Sequence, residues 1–284
     1  MQWQGREESS NVDVRRGVSG GGMAIGGGGI GVIFILVKFL LGDGDINDLS
    51  QLVQQPQQQQ TEMTTDQKAA DDKEADFVKV VLKDTEDVWG KIFSDMGNTY
   101  TDPTLVLFRG STTSGCGNAS AASGPFYCPA DQDVYIDLSF AQQLKQQFGA
   151  TGDFAMAYVV AHEVGHHVQD LLGVTKKMQQ IQQRVSETEY NKYSVRLELQ
   201  ADFYAGVWAH YDQKMKNVID PNDIQEALTA ANAIGDDRLQ KEYQGTITPD
   251  SFTHGTSAQR MYWFKKGYDT GDINQGNTFA AGSF

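Results

Sequence analysis

A chain of 284 residues, 39% hydrophobic and 21% charged, has room for one large domain or two small ones and enough apolar content for a core, which excludes wholesale disorder. Its 37 acidic residues outnumber 23 lysines and arginines, a formal net charge of −14 that argues against a nucleic-acid partner, which needs a basic face. Two cysteines exclude a disulfide-dense scaffold and a four-cysteine zinc site, whereas three of the five histidines (His162, His166 and His167) fall within six residues.

Residues 1–22 read as a polar, Gly/Ser-rich tail. From Met23 to Gly42 the chain runs MAIGGGGIGVIFILVKFLLG, about the 20 residues a helix needs to cross the hydrocarbon layer, so a transmembrane helix is expected over 23–42. A cleaved signal peptide is the alternative, disfavoured by the long polar lead and by the lack of a small-residue cleavage site. Arg6, Arg15 and Arg16 precede this stretch, Asp43, Asp45 and Asp48 follow it, and no basic residue returns until Lys68. The positive-inside rule then predicts a single pass through a bacterial inner membrane, with a cytoplasmic N-terminus and an extracytoplasmic domain. Residues 43–75, rich in Gln, Thr and acids, read as a flexible linker.

The folded domain is expected over 76–284. Phe77, Val80, Val81, Val88, Trp89 and Ile92 have helical spacing. Thr104–Arg109 and Asp133–Ser139 read as strands, the second half-buried with its acids outward, and the Gly/Ser/Ala-rich stretch between them reads as loop. Helices follow over Phe140–Phe148, Asp153–Leu172, from Lys176 to about Asp212 and from Asp223 to about Tyr243, punctuated by Pro221 and Gly235. Helices outnumber strands, so the fold class is α+β. Cys116 and Cys128 lie between the strands; outside the cytoplasm they can form a disulfide, and otherwise they are two free thiols.

The chemistry concentrates at His162-Glu163-Val-Gly-His166, an H-E-x-x-H motif. On a helix, residues i and i+4 share a face, so His162 and His166 can reach one zinc ion. Glu163 is placed to act as general base toward a zinc-activated water. The residues at 159–161 and 164–165 are uncharged, so a buried helix would carry these polar groups, which need partners. His167 points about 100° away around the helix and is a poor ligand. Such a site needs a third protein ligand. Downstream, Glu198 and Asp202 are four apart in an otherwise apolar segment, costly there unless paired or metal-bound. One of them can ligate zinc while the other accepts a hydrogen bond from a ligating histidine.

The segments SGCGNASAASGPFYCPADQDVYIDLSF, AYVVAHEVGHHVQDLLG, RLELQADFYAGVWAH and FTHGTSAQRMYWFKKGY, in this order, resemble the zincin metallopeptidases and more closely the bacterial neutral zinc metallopeptidase family. The resemblance spans roughly Ala75 to Asp272 and implies one Zn2+ per chain, with Glu198 as third ligand and Asp202 holding a ligating histidine. It also implies a zincin-like metallopeptidase domain behind an N-terminal membrane span, a protein or peptide substrate, and an edge strand that binds extended peptide, for which Asp133–Ser139 is the expected one. Zincins often steady the oxyanion with a downstream histidine, tyrosine or arginine, which makes His254 and Arg260 candidates. Each has a structural alternative: His254 anchoring its loop, Arg260 paired with an acid near the site. The expected function is a membrane-anchored zinc endopeptidase; the alternative is a non-hydrolytic peptide-binding module on the same scaffold.

Overall fold

The computed structural model describes residues 1–15, 65–147, 149–150 and 152–280. The apolar stretch 23–42 and most of the Gln-rich segment lie outside these residues. Among the described residues no helix is long and apolar enough to cross a membrane. The architecture is mostly helical with a small sheet, in agreement with an α+β class.

The first long helix, α1 (Thr65–Asp95), starts well before the expected domain boundary. Its first turns are polar, yet they present Asp71, Ala75 and Val78 to the protein, and Asp71 faces Arg109 at 3.3 Å. That buried stripe is hidden in a segment whose composition reads as linker. The chain before it also differs from the expectation of a separate tail. Strand β1 (Val12–Arg15) pairs in parallel with β2 (Thr104–Phe108), Val12 opposite Leu105. The Trp3 ring meets Phe77 edge-on, Arg6 binds Asp84, and Ser9 and Asn11 both bond to Glu86. Residues 1–15 are therefore part of the domain, and Arg6 and Arg15 have partners within it rather than standing free beside a membrane.

Two short strands, β3 (Ser111–Ser114) and β4 (Gly117–Ser120), form a hairpin inside the stretch expected to be loop. Strands β5 (Phe126–Cys128) and β6 (Asp133–Asp137) complete the main sheet, in the order β1-β2-β6-β5 with β5 alone antiparallel. Both faces of β6 are covered. Val134 and Ile136 join the main core, while Tyr135 packs with Val106, Phe108, Ala119 and Cys128 under the hairpin. The expected solvent face is therefore a second small core, and Asp137 on it is buried, accepting from the Gly110 amide and from Ser139. Cys116 and Cys128 are joined by a disulfide that ties the hairpin to β5. A loop of that length is worth about 3 kcal/mol in the chain-entropy account. Because β6 lies between β2 and β5, it is not an edge strand; β5 is the sheet edge beside the long helices.

Helix α2 (Phe140–Gln147) leads to α3 (Asp153–Leu171), which carries the H-E-x-x-H residues. The helix expected from Lys176 is two helices, α4 (Val174–Gln182) and α5 (Glu187–Lys216), divided where Ser186 caps α5 by accepting from the Glu189 amide. The next one is also two, α6 (Asp223–Ala233) and α7 (Asp236–Gln244), split at Gly235. Helix α8 (Ser257–Thr270) opens with a capping box of Thr256 and Gln259 and buries Trp263 and Phe264, while Tyr262 is exposed. α8 crosses α5 at a glycine pair. A Cβ on Gly206 would lie 2.0 Å from the Phe264 carbonyl, and one on Gly267 2.1 Å from the Phe203 carbonyl. No side chain fits between these backbones. Gly206→Ala or Gly267→Ala is expected to cost at least about 1–3 kcal/mol, as overpacking of a close crossing does. Urea unfolding of the variants measures this; unchanged midpoints would show that the two helices do not cross this closely.

Candidate metal centre

The site rests on the packing of α3 against α5. A Cβ added at Gly165, between the motif histidines, would stand 3.0 Å from the Ala201 carbonyl, so the two backbones approach closely just below the motif. This approach brings Glu198 to the histidines. Its Oε2 is 3.1 Å from His162 Nε2 and its Oε1 is 3.4 Å from His166 Nε2. One ligand atom from each of His162, His166 and Glu198 lies within 4.8 Å of the others. Atoms about 2.0–2.1 Å from one tetrahedral zinc stand about 3.3 Å apart, so the cluster is near the size such an ion requires.

The far sides of the histidine rings are also engaged. His162 Nδ1 is 2.8 Å from Asp202 Oδ1, and His166 Nδ1 is 2.9 Å from Gln169 Oε1. Because Asp202 is an acceptor, His162 donates from Nδ1 and its Nε2 faces Glu198. Asp202 is itself fully buried and saturated. It accepts from His162, from the Tyr158 hydroxyl, and from Arg260 through Nε at 2.8 Å and Nη2 at 3.0 Å. Arg260 Nη2 also donates to the Tyr158 hydroxyl at 3.2 Å. Arg260 thus stands behind Asp202, buried, and does not face open space, which is the paired arrangement rather than the oxyanion one.

Burial works against charge on these groups, but their neighbours dominate. Against it, Asp202 and Glu198 raise His162 to about 10, and Glu198 raises His166. The histidines hold Glu198 well below the usual carboxylate range, and Arg260 and His162 hold Asp202 at about 2. Glu163, one residue from His162, has no hydrogen-bond or ion-pair partner among the described residues, so its carboxylate is available to a ligand.

His254 precedes α8; burial works against its charge, but the hydrogen bond to Asp236 and the field of the nearby Glu198 carboxylate raise it above the usual imidazole range. Its Nδ1 is 3.3 Å from Asp236 Oδ1 and 3.0 Å from Thr253 Oγ1. Asp236 Oδ2 accepts the backbone amides of Thr253, His254 and Gly255, so this carboxylate shapes the loop as well as orienting the ring. His167 is fully buried, bonded to the Thr101 carbonyl at 2.7 Å and near the Tyr127 hydroxyl, away from the cluster. His210 bonds the Tyr268 carbonyl through Nδ1. Sequence reasoning missed Tyr158, Gln169 and Asp236. Tyr158 and Gln169 flank the motif by four and three residues on its own helix, the spacing that would have flagged them. Asp236 had no such signal.

A cation entering this cluster displaces protons from the histidines. Zinc affinity is therefore expected to rise with pH up to about 10, where His162 loses its proton, with proton release on binding below that. Calorimetric titration in two buffers of different ionisation enthalpy measures both; a flat profile without proton release would remove the histidines as ligands.

The sequence profile of the family described as "Putative neutral zinc metallopeptidase" matches residues 1–279. "Uncharacterized protein YpfJ" of Escherichia coli (strain K12) is 51% identical over 286 residues, covering 98% of this chain and 99% of that protein. "Uncharacterized protein Mb2605" of Mycobacterium bovis is 50% identical over 192 residues, 64% of each chain. No solved structure matches the chain. The profile match includes the N-terminal residues that pack on the domain as well as both histidines, Glu198 and Asp202, and the chain belongs to the neutral zinc metallopeptidase family.

Proposed function

We propose that the protein is a zinc-dependent endopeptidase with a zincin-like site, acting on protein or peptide outside the cytoplasm. The observation that carries this reading is the convergence of two imidazole nitrogens and one carboxylate beside an unengaged Glu163. His162, His166 and Glu198 hold the zinc, one per chain. When bound, zinc would polarise the scissile carbonyl and lower the pKa of a water, which is then readily deprotonated for attack. Glu163 accepts the proton of that attacking water and passes it to the leaving amine. Asp202 keeps His162 in the tautomer that offers Nε2, and Arg260 and Tyr158 keep Asp202 ionised and in place. His254, whose Nδ1 is turned toward Asp236, steadies the developing oxyanion through its other nitrogen. The strand that receives extended peptide is β5, the sheet edge nearest α3.

Attachment to a membrane through residues 23–42 is part of the proposal, with an amended topology. In its support, residues 1–15 pack against the rest of the domain, which favours both lying on one side of a bilayer. That packing supports this topology over a single pass with a cytoplasmic N-terminus and an extracytoplasmic domain. The disulfide favours the oxidising side, and Arg15 donates to the Thr113 carbonyl in the hairpin that this disulfide holds.

Two outcomes follow. Glu163→Gln is expected to bind zinc like the wild type and to lose hydrolysis of a peptide library by about 10²–10⁴-fold. Retained turnover would remove Glu163 as the base, whereas capture of peptides without cleavage by the wild type would favour the non-hydrolytic binding module. For the topology, single cysteines at exposed Gln4 and Glu242 are expected to react alike with a membrane-impermeant maleimide in intact spheroplasts. Opposite reactivities would restore the single pass.

A further inference from the structure

The two motif histidines are held differently. His162 leans on the Asp202 carboxylate, whereas His166 leans on an amide, Gln169, one turn further along α3. Gln169 is 1% exposed, and its orientation is fixed from behind. Its Nε2 donates to the Leu197 carbonyl at 2.7 Å and to Gln200 Oε1 at 3.1 Å. Both of those atoms are acceptors, so the amide cannot be turned round without setting its oxygen against two others. Gln200 is fixed in the same way, because its Nε2 donates to the Gly276 carbonyl at 2.8 Å. The chain segment holding that carbonyl is itself fastened to α5 by the Thr278 hydroxyl, which donates to the Arg196 carbonyl at 2.6 Å.

We propose that Gln169 is a positioning residue for the metal centre, setting His166 in the Nδ1–H tautomer with Nε2 directed at the ion. The relay is directional at every link. The Gly276 carbonyl orients Gln200, Gln200 and the Leu197 carbonyl orient Gln169, and the Gln169 oxygen can then only accept from His166. An oriented acceptor behind a ligating imidazole fixes the ring and its tautomer and typically governs metal affinity. Leu197 adjoins Glu198, so the same amide also ties the backbone of the carboxylate ligand to the ring of the histidine ligand. The relay adds no charge to a cluster that already holds Glu163, Glu198 and Asp202, which is the physical advantage of an amide here over a second carboxylate.

This assignment rests on the zinc reading of the site, and the experiment separates the two. The full chain is compared with Gln169→Met, which keeps the shape but removes the acceptor. Zinc affinity is measured by chelator competition, and the visible absorption of the cobalt-substituted protein reports ligand geometry. Gln169→Met is expected to weaken zinc by about 10–100-fold and to shift the cobalt bands. Gln200→Ala, which touches no ligand, is expected to weaken zinc by a smaller factor and serves if Gln169→Met does not fold. Wild-type affinity and spectrum in Gln169→Met, or in Gln200→Ala if that variant must stand in, would overturn the assignment while leaving the site intact. Loss of affinity with a wild-type cobalt spectrum would overturn it too, because packing rather than the acceptor would then govern the site. A wild-type chain that binds neither zinc nor cobalt would overturn the metal reading itself, and the assignment with it.

Discussion

The site depends on how Asp202 is kept charged inside the protein. A carboxylate with no exposure is costly unless hydrogen bonds and a countercharge replace its water. Asp202 obtains both, from Arg260 on α8, from Tyr158 and His162 on α3, and from no solvent. Three helices therefore meet at one carboxylate. Removing one partner of such a buried pair typically costs about 3–5 kcal/mol, so the pair also constrains how the helices may pack. The glycine crossing of α5 and α8 follows from this requirement, because a wider separation would withdraw Arg260 from Asp202.

The charge balance extends to the ligands. Glu163, Glu198 and Asp202 bring three negative charges together and Arg260 returns one positive charge, which leaves an excess of two. Without a metal the histidines can supply it, and both are shifted toward their protonated forms. A dication supplies the same two charges at one point while freeing the imidazoles to act as neutral ligands. The cluster is thus built to hold about two positive charges, and competition between protons and metal is inherent in it.

The parts of this arrangement that were legible in the sequence are those with a short period. His162, Glu163 and His166 declare themselves by helical spacing, and so do Glu198 and Asp202 within an apolar helix. Fold class followed from the same periodicities. What was not legible depends on contacts distant in the chain. Residues 1–15 read as a tail because a four-residue strand and a few polar side chains have no signal until β2 and α1 are there to receive them. The outer face of β6 read as solvent-exposed because alternation cannot reveal that a disulfide-tied hairpin covers it. Whether Arg260 faces substrate or an acid was likewise open, since both uses need the same residue type at the same distance along the chain.

The main sheet ends in two outer strands, the N-terminal β1 and β5. β5 also touches the motif helix directly, since Tyr127 bonds Asp170 and its ring meets His167. Of the two outer strands, β5 is therefore the one whose edge lies along the motif helix. β1 also ties residues 1–15 to the domain, although sequence reading assigns them to a tail.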